Sequence, residues 1–352
     1  MTKPSMQALM IVLLILGLGA AVVEPASAKE KEPKPTAPVN LVWPLPPEKP
    51  RVKFLEMFSN NFDVEPKKKV SWVDKMVGNP NPNIPEFFER PAGIATDSKG
   101  RIFLVASQVA TLYVIEKEHH QVLRVHGDRG LAFKVPLGVV VDSKDNFYVA
   151  DAALSSVLKF DPQGHLQGVI GSEAGLKNPT FMALDEGRKR LFVVDSHLHQ
   201  VLIFNPDTLE LQSKVGKRGE KNGEFNFPVA IAVAPDGSFA VTDTGSCSVE
   251  VFSAELKFVR RIGRQGVRPG DFTRPKGIAY DSEGNLWVVD AAFNNFQIFN
   301  REGKVLMFVG SHGSNAGEFD TPLDIYIDKN NRVYVSDSLN RRIQVFQFLG
   351  GN

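Results

Sequence analysis

Cysteine is almost absent from this chain: Cys247 stands alone among 352 residues. A lone thiol excludes an intrachain disulfide framework and any cluster of thiolate metal ligands, so burial must hold the core. Net charge is nearly absent too. Lysine and arginine number 41 against 40 aspartates and glutamates, leaving +1, and this balance offers no electrostatic footprint for nucleic acid or a strongly acidic partner. Neither a phosphate-cradling P-loop nor a G-x-S-x-G nucleophile elbow occurs, which removes two common routes to catalysis.

What is present begins with an address. Lys3 precedes an uncharged apolar run over residues 8–23, and Ala26-Ser27-Ala28 fits the small-x-small pattern of a signal-peptidase site. Residues 1–28 are therefore expected to be a signal peptide cleaved after Ala28. The competing reading is an uncleaved membrane tether, although 16 apolar residues fall short of the ~20 that span a bilayer. No cysteine follows the run to carry a lipid anchor. Either way the folded part is expected to be periplasmic or secreted. Residues 29–50 hold seven prolines among alternating charges, the composition of an extended linker with little packing.

From residue 86 the chain repeats. Pro91, Pro136, Pro179, Pro228, Pro275 and Pro322 open six units spaced 45, 43, 49, 47 and 47 residues apart, which marks an array of one supersecondary unit. Three residues before each proline stands Phe88, Phe133, Leu176, Phe225, Phe272 or Phe319, an apolar plug placed to pin each unit to its neighbour. Within a unit, Pro275 opens a small apolar strand, Asp281-Ser282-Glu283-Gly284 makes a tight turn, Asn285–Asp290 is a strand rich in β-branched and aromatic residues, and Phe296–Phe299 alternates as a third strand. A fourth strand follows, as at residues 257–262 and 305–309.

Four antiparallel strands per unit suit a closed propeller better than an open stack, which would leave terminal edges exposed. The expected fold is therefore all-β, a six-bladed β-propeller. The last unit runs out of chain before its fourth strand, and residues 51–59 (RVKFLEMFS) supply an unclaimed one. That strand is expected to complete blade six, so that one domain spans 51–352. Residues 60–85 form an irregular insert with a short helix at 71–77, begun by Ser71 and Asp74 and ended by Gly78. Trp72 and Met76 share one helical face, expected to pack on the domain; a partner-binding helix is the alternative.

The motif P-x-G-I-A-x-D-x-x-G-x-L-x-V-x-D, followed by N-x-x-I-x-x-F, is carried by PKGIAYDSEGNLWVVD in unit five and by PLDIYIDKNNRVYVSDSLNRRIQVF in unit six. It resembles the NHL-repeat family of six-bladed propellers, and the leading segment resembles exported bacterial members. The resemblance implies a scaffold that binds another protein or a cell-envelope component, without catalysis. Other members act as RNA binders or as a few enzymes. Some enzymes similar in fold hold zinc with three histidines, or calcium with acidic and amide groups, around the channel.

Candidate chemistry falls in two sets. Asp151, Asp195, Asp243, Asp290 and Asp337 recur at the ends of second strands. They are expected to accept backbone N–H groups in their own turns, because a catalytic group breaks repeat symmetry whereas a framework group repeats. Departures from the repeat are the better binding candidates. These are His126, His197, His199, His312, Asp324, Arg341 and Arg342, all assigned to the end where inter-blade loops emerge. No catalytic residue and no cofactor is assigned. The alternative is a metal-dependent propeller lyase or hydrolase with zinc or calcium at the channel mouth, and His197 with His199 would be its ligands. Basic residues near that end are interleaved with acidic ones, so nucleic acid is not expected.

Overall fold

The prolines sit at the first residue of each innermost strand, where a missing N–H costs no ladder bond. In the computed structural model, which describes residues 41–77, 81 and 83–350, these strands are Pro91–Thr96, Pro136–Val141, Pro179–Asp185, Pro228–Val233, Pro275–Tyr280 and Pro322–Ile327. The expected signal segment, its cleavage point and residues 29–40 lie outside the described residues. Each inner strand leads an antiparallel sheet of four strands in blades one to five. The inner strands contact one another in sequence around a ring, and Pro322–Ile327 meets Pro91–Thr96 to close it.

The Asp-initiated turns work as the sequence predicts. Asp281 Oδ1 accepts the N–H groups of Glu283 and Asn285 at 2.9 Å, and Asp97, Asp142 and Asp328 repeat the pattern. Both faces of each blade are buried against neighbours, so second strands read as continuous apolar runs such as Leu286–Asp290. The result is six apolar clusters, one at each interface between adjacent blades. The plug residues enter these clusters. Phe319 lies between Phe296 of blade five and Phe346 of blade six, with both ring centroids 6.1 Å away. Gly216, Gly263 and Gly310 take positive φ beneath the plugs, and a Cβ there would lie 2.3 to 2.6 Å from the ring of Phe225, Phe272 or Phe319.

In the sixth blade, Val52–Phe58 runs antiparallel to Arg342–Phe348, pairing Phe54 with Phe346. A fifth strand, Val42–Trp43, extends this sheet from within the segment expected to be a loose linker. Trp43 stacks edge-on to Phe346 at 5.8 Å. The described end of the linker is thus packed, because an aromatic that finds a core buries there despite its proline-rich surroundings.

The insert connects blade six to blade one. Asn61 N–H donates to the Glu86 carbonyl and its side-chain Oδ1 accepts Glu86 N–H, while Glu65 accepts Val122 N–H and pairs with Arg124, lining the outer strand of blade one. Its helix is Trp72–Met76, and Ser71 Oγ accepts Val73 N–H at 3.0 Å; Gly78 lies outside the described residues. The expected packing of this helix does not occur. Trp72 and Met76 are 71% and 74% exposed, since the insert docks through Asn61 and Glu65 and not through the helix.

Candidate functional site

Each strand-end carboxylate is a backbone anchor. Asp290 accepts N–H groups from Thr273 (2.7 Å) and Arg274 (3.2 Å) in the inter-blade loop, and from Ala292 (2.9 Å) and Phe293 (3.2 Å) in its own turn. Asp151 and Asp195 make the same four contacts, and Asp243 makes three of them. Asp337 differs. Beside Asp320 N–H it takes donors from Asn340, Arg342 and Gln344 side chains. Burial pushes its carboxyl up, and these donors pull the other way.

The nominated histidines are spread around the ring: His197 and His199 share one turn of blade three, His126 follows the last strand of blade one and His312 that of blade five. His126, His197 and His312 are exposed, and His126 Nδ1 lies 3.1 Å from Thr111 Oγ1. His199 occupies the left-handed turn position (φ 55°) filled elsewhere by Ala110, Ser155, Cys247, Asn294 and Arg341. It departs from the repeat in side chain only, and its buried Nδ1 has no partner. Among the described residues, no group of three His, Cys, Asp or Glu side chains is gathered to hold a metal ion.

The two arginines separate. Arg341 is exposed, bonds Glu89 at 3.1 Å and lies over the Phe87 ring at 4.9 Å. Arg342 is 6% exposed. It binds Asp337 at 2.7 Å and the carbonyls of Ser314, Asn315 and Glu318. Its assignment as a binding residue on the loop face is corrected: it faces inward at the start of the third strand, where every donor is consumed by framework.

Asp324 is also relocated. It lies in the wall of the central channel and not at the loop end, because it is the second residue after Pro322 on an inner strand. Its siblings are Gly93, Gly138, Phe181, Ala230 and Gly277. A Cβ on Gly277 would meet Asp324 Oδ1 at 2.7 Å, and Asp324 Oδ2 accepts Ile94 N–H at 3.0 Å. The carboxylate thus spans blades five, six and one. It is 7% exposed, and burial pushes its pKa up to about 7 against the lowering effect of the Ile94 and Ile325 N–H groups. The cavity around it measures about 230 Å³ and is lined by Val, Ile, Ala and Met side chains with Phe181, Tyr280 and Tyr326. Sequence reasoning missed these three aromatics, although the proline register marks Phe181 as the one bulky residue among small siblings.

Comparison with known proteins agrees with this architecture. Residues 280–352 match the family described as DUF5128, 6-bladed beta-propeller, and residues 225–252 match the NHL repeat. Peptidyl-glycine alpha-amidating monooxygenase A of Xenopus laevis is 25% identical over 161 residues, 42% of this chain and 17% of that protein. The corresponding Rattus norvegicus protein is 24% identical over 165 residues, 43% of this chain and again 17% of the relative. The chain therefore spans about a sixth of their length. Among solved structures, a Bacteroides thetaiotaomicron protein of unknown function superposes with TM-score 0.60 at 17% identity, covering 83% of this chain and 76% of that one. Virginiamycin B lyase from Staphylococcus aureus superposes with TM-score 0.56 at 11% identity over 75% of this chain and 97% of its own. At these identities the superpositions show a shared fold.

Proposed function

Because this chain is an NHL-repeat six-bladed β-propeller, we propose that it is an exported, periplasmic or secreted scaffold that binds another protein or a cell-envelope component through its loop-rich end. One observation carries this reading. The insert leaves the propeller at Phe58, beside Ile343, and returns at Pro91, so it belongs to the end where inter-blade loops emerge. There it holds Trp72, Val73, Met76 and Val77 between 46% and 74% exposed. Four large apolar side chains on one short segment, left in water, are characteristic of an interaction surface. Phe227, Val267 and Leu339 are exposed on loops of the same end.

Affinity capture from a native envelope extract tests the proposal, with wild type compared against the double variant Trp72→Ser, Met76→Ser. A partner retained by wild type and lost by a variant of unchanged melting temperature is expected. Equal capture by both overturns the reading. Metal analysis separates it from a metal-dependent lyase or hydrolase, since stoichiometric zinc or calcium that disappears in His197→Ala would replace the scaffold with an enzyme.

A further inference from the structure

The inner-strand register places two departures from the repeat at one level of the channel. Asp324 of blade six and Phe181 of blade three are both the second residue after the blade-opening proline. In a ring of six blades the third and sixth stand opposite each other. The positions between them are filled by Gly93, Gly138, Ala230 and Gly277, where neighbouring inner strands approach so closely that a Cβ on Gly93, Gly138 or Gly277 would lie 2.4 to 2.6 Å from backbone of the next strand. Both departures line the same cavity of about 230 Å³. One wall therefore carries a carboxylate, the other an aromatic ring, with Met182, Ile231 and Ile278 contributing apolar surface.

A second observation lies at the opposite end from the inter-blade loops. The cavity shares Leu184, Val233, Tyr280 and Ile327 with a shallow vestibule formed by the turns between first and second strands. That vestibule is lined by Asp185, Glu186, Asp281 and Asp328 against Lys329. An acidic mouth over a low-dielectric channel concentrates cations and repels anions.

We infer that the central channel is a binding site for a small organic ammonium ion, entering through the acidic vestibule, with its charge on Asp324 and its hydrocarbon body against Phe181. The chemistry follows from the lining. An ammonium supplies the counter-charge that a carboxylate in an apolar wall lacks, and an aromatic face attracts the same cation. Hydrocarbon attached to the nitrogen removes Val, Ile and Met surface from water. The cavity volume, roughly that of eight water molecules at ~30 Å³ each, limits the ligand to a small molecule.

The other titratable groups around Asp324 are few. The inner strand of blade five carries Lys276 and Tyr280, that of blade one carries none, the strand holding Asp324 carries Tyr326, and the second strand of blade six carries Arg332, Tyr334 and Asp337. Burial holds Tyr280, Tyr326 and Tyr334 well above the usual phenol range, so they remain neutral hydrogen-bonding groups. Lys276 lies outside the cavity lining.

Isothermal titration of the purified propeller with n-butylammonium and benzylammonium tests the inference, with n-butanol, benzyl alcohol and calcium chloride as controls. At pH 8 the ammonium ions are expected to bind at least tenfold more tightly than their neutral isosteres. The preference should disappear in Asp324→Asn and in wild type at pH 5, where the carboxyl is protonated, and should weaken severalfold in Phe181→Leu. Circular dichroism on each variant separates loss of binding from loss of fold, and the wild-type pH arm needs no variant. Equal binding of cation and neutral isostere, a preference that survives in folded Asp324→Asn, or no heat from either ammonium ion overturns the inference. Tight binding of calcium alone would make the site a metal site and overturn it equally.

Discussion

Asp324→Asn should make the protein more stable in mildly alkaline solution. The carboxyl ordinarily ionises near 3.8, and burial in the channel wall moves this to about 7. The unfolded chain therefore releases the proton first. Between these two values the native state holds a proton that the unfolded state lacks, so stability is full below pH 4 and declines until about pH 7. At about 1.4 kcal/mol per pH unit, the ionised carboxylate costs the fold on the order of 4 kcal/mol at pH 8. Asparagine keeps an oxygen for Ile94 N–H, now at 3.0 Å, and removes the ionisation. Urea unfolding of both proteins from pH 4 to pH 8.5 provides the assay, because other titrating groups cancel in the difference. With a slope of ~3 kcal/mol per molar, the variant's midpoint should exceed wild type by more than ~1 M at pH 8 and match it near pH 4. A difference that does not change with pH, or a wild type more stable at pH 8, refutes the reasoning.

Asp290→Ala should lower stability by more than ~3 kcal/mol in thermal unfolding, because it orphans four backbone N–H groups beside a buried side chain. Phe54→Ala should cost about 3–5 kcal/mol, read in the same way, since Phe54 packs on Phe346 at 5.7 Å within the strand that joins the two chain ends. Arg342→Ala should cost about 3–5 kcal/mol by leaving Asp337 buried without its cation. The adjacent Arg341→Ala should cost less than ~1 kcal/mol, because its pair with Glu89 is half in water; comparable melting temperatures for the two arginine variants would contradict the assigned roles.

The repeat made the blades legible because proline, plug and turn aspartate each perform one mechanical task at one position. Phe319 could be placed between blades from its spacing alone, and Asp281 could be placed in a turn for the same reason. Arg341 and Arg342 could not be told apart as neighbours in a string. Their difference is one of backbone: Arg341 takes φ 54° in a turn, while Arg342 opens a strand and pairs in register with Asp337. The helix misled for a related reason. Its periodicity correctly places Trp72 and Met76 on one face, but periodicity states only that a face is apolar and cannot state what covers it. Trp43 shows the converse, a residue in linker-like sequence drawn onto Phe346 by its own surface.

Aspartate appears in this propeller under two opposite conditions, and the contrast locates the candidate site. At the strand ends, Asp151, Asp195 and Asp290 each receive four backbone N–H groups, so the fold itself solvates the charge. In the channel, Asp324 receives N–H groups of Ile94 and Ile325 and is otherwise set in apolar wall. Stability alone would favour glycine or alanine there, as in blades one, two, four and five. A carboxylate that weakens the fold at neutral pH, facing open volume and an acidic entrance, is positioned for a counter-charge that the chain does not supply. The two proposals thereby rest on separate surfaces: the macromolecular one on exposed Trp72 and Met76 at the loop-rich end, and the small-cation one on the buried carboxylate of Asp324 in the channel.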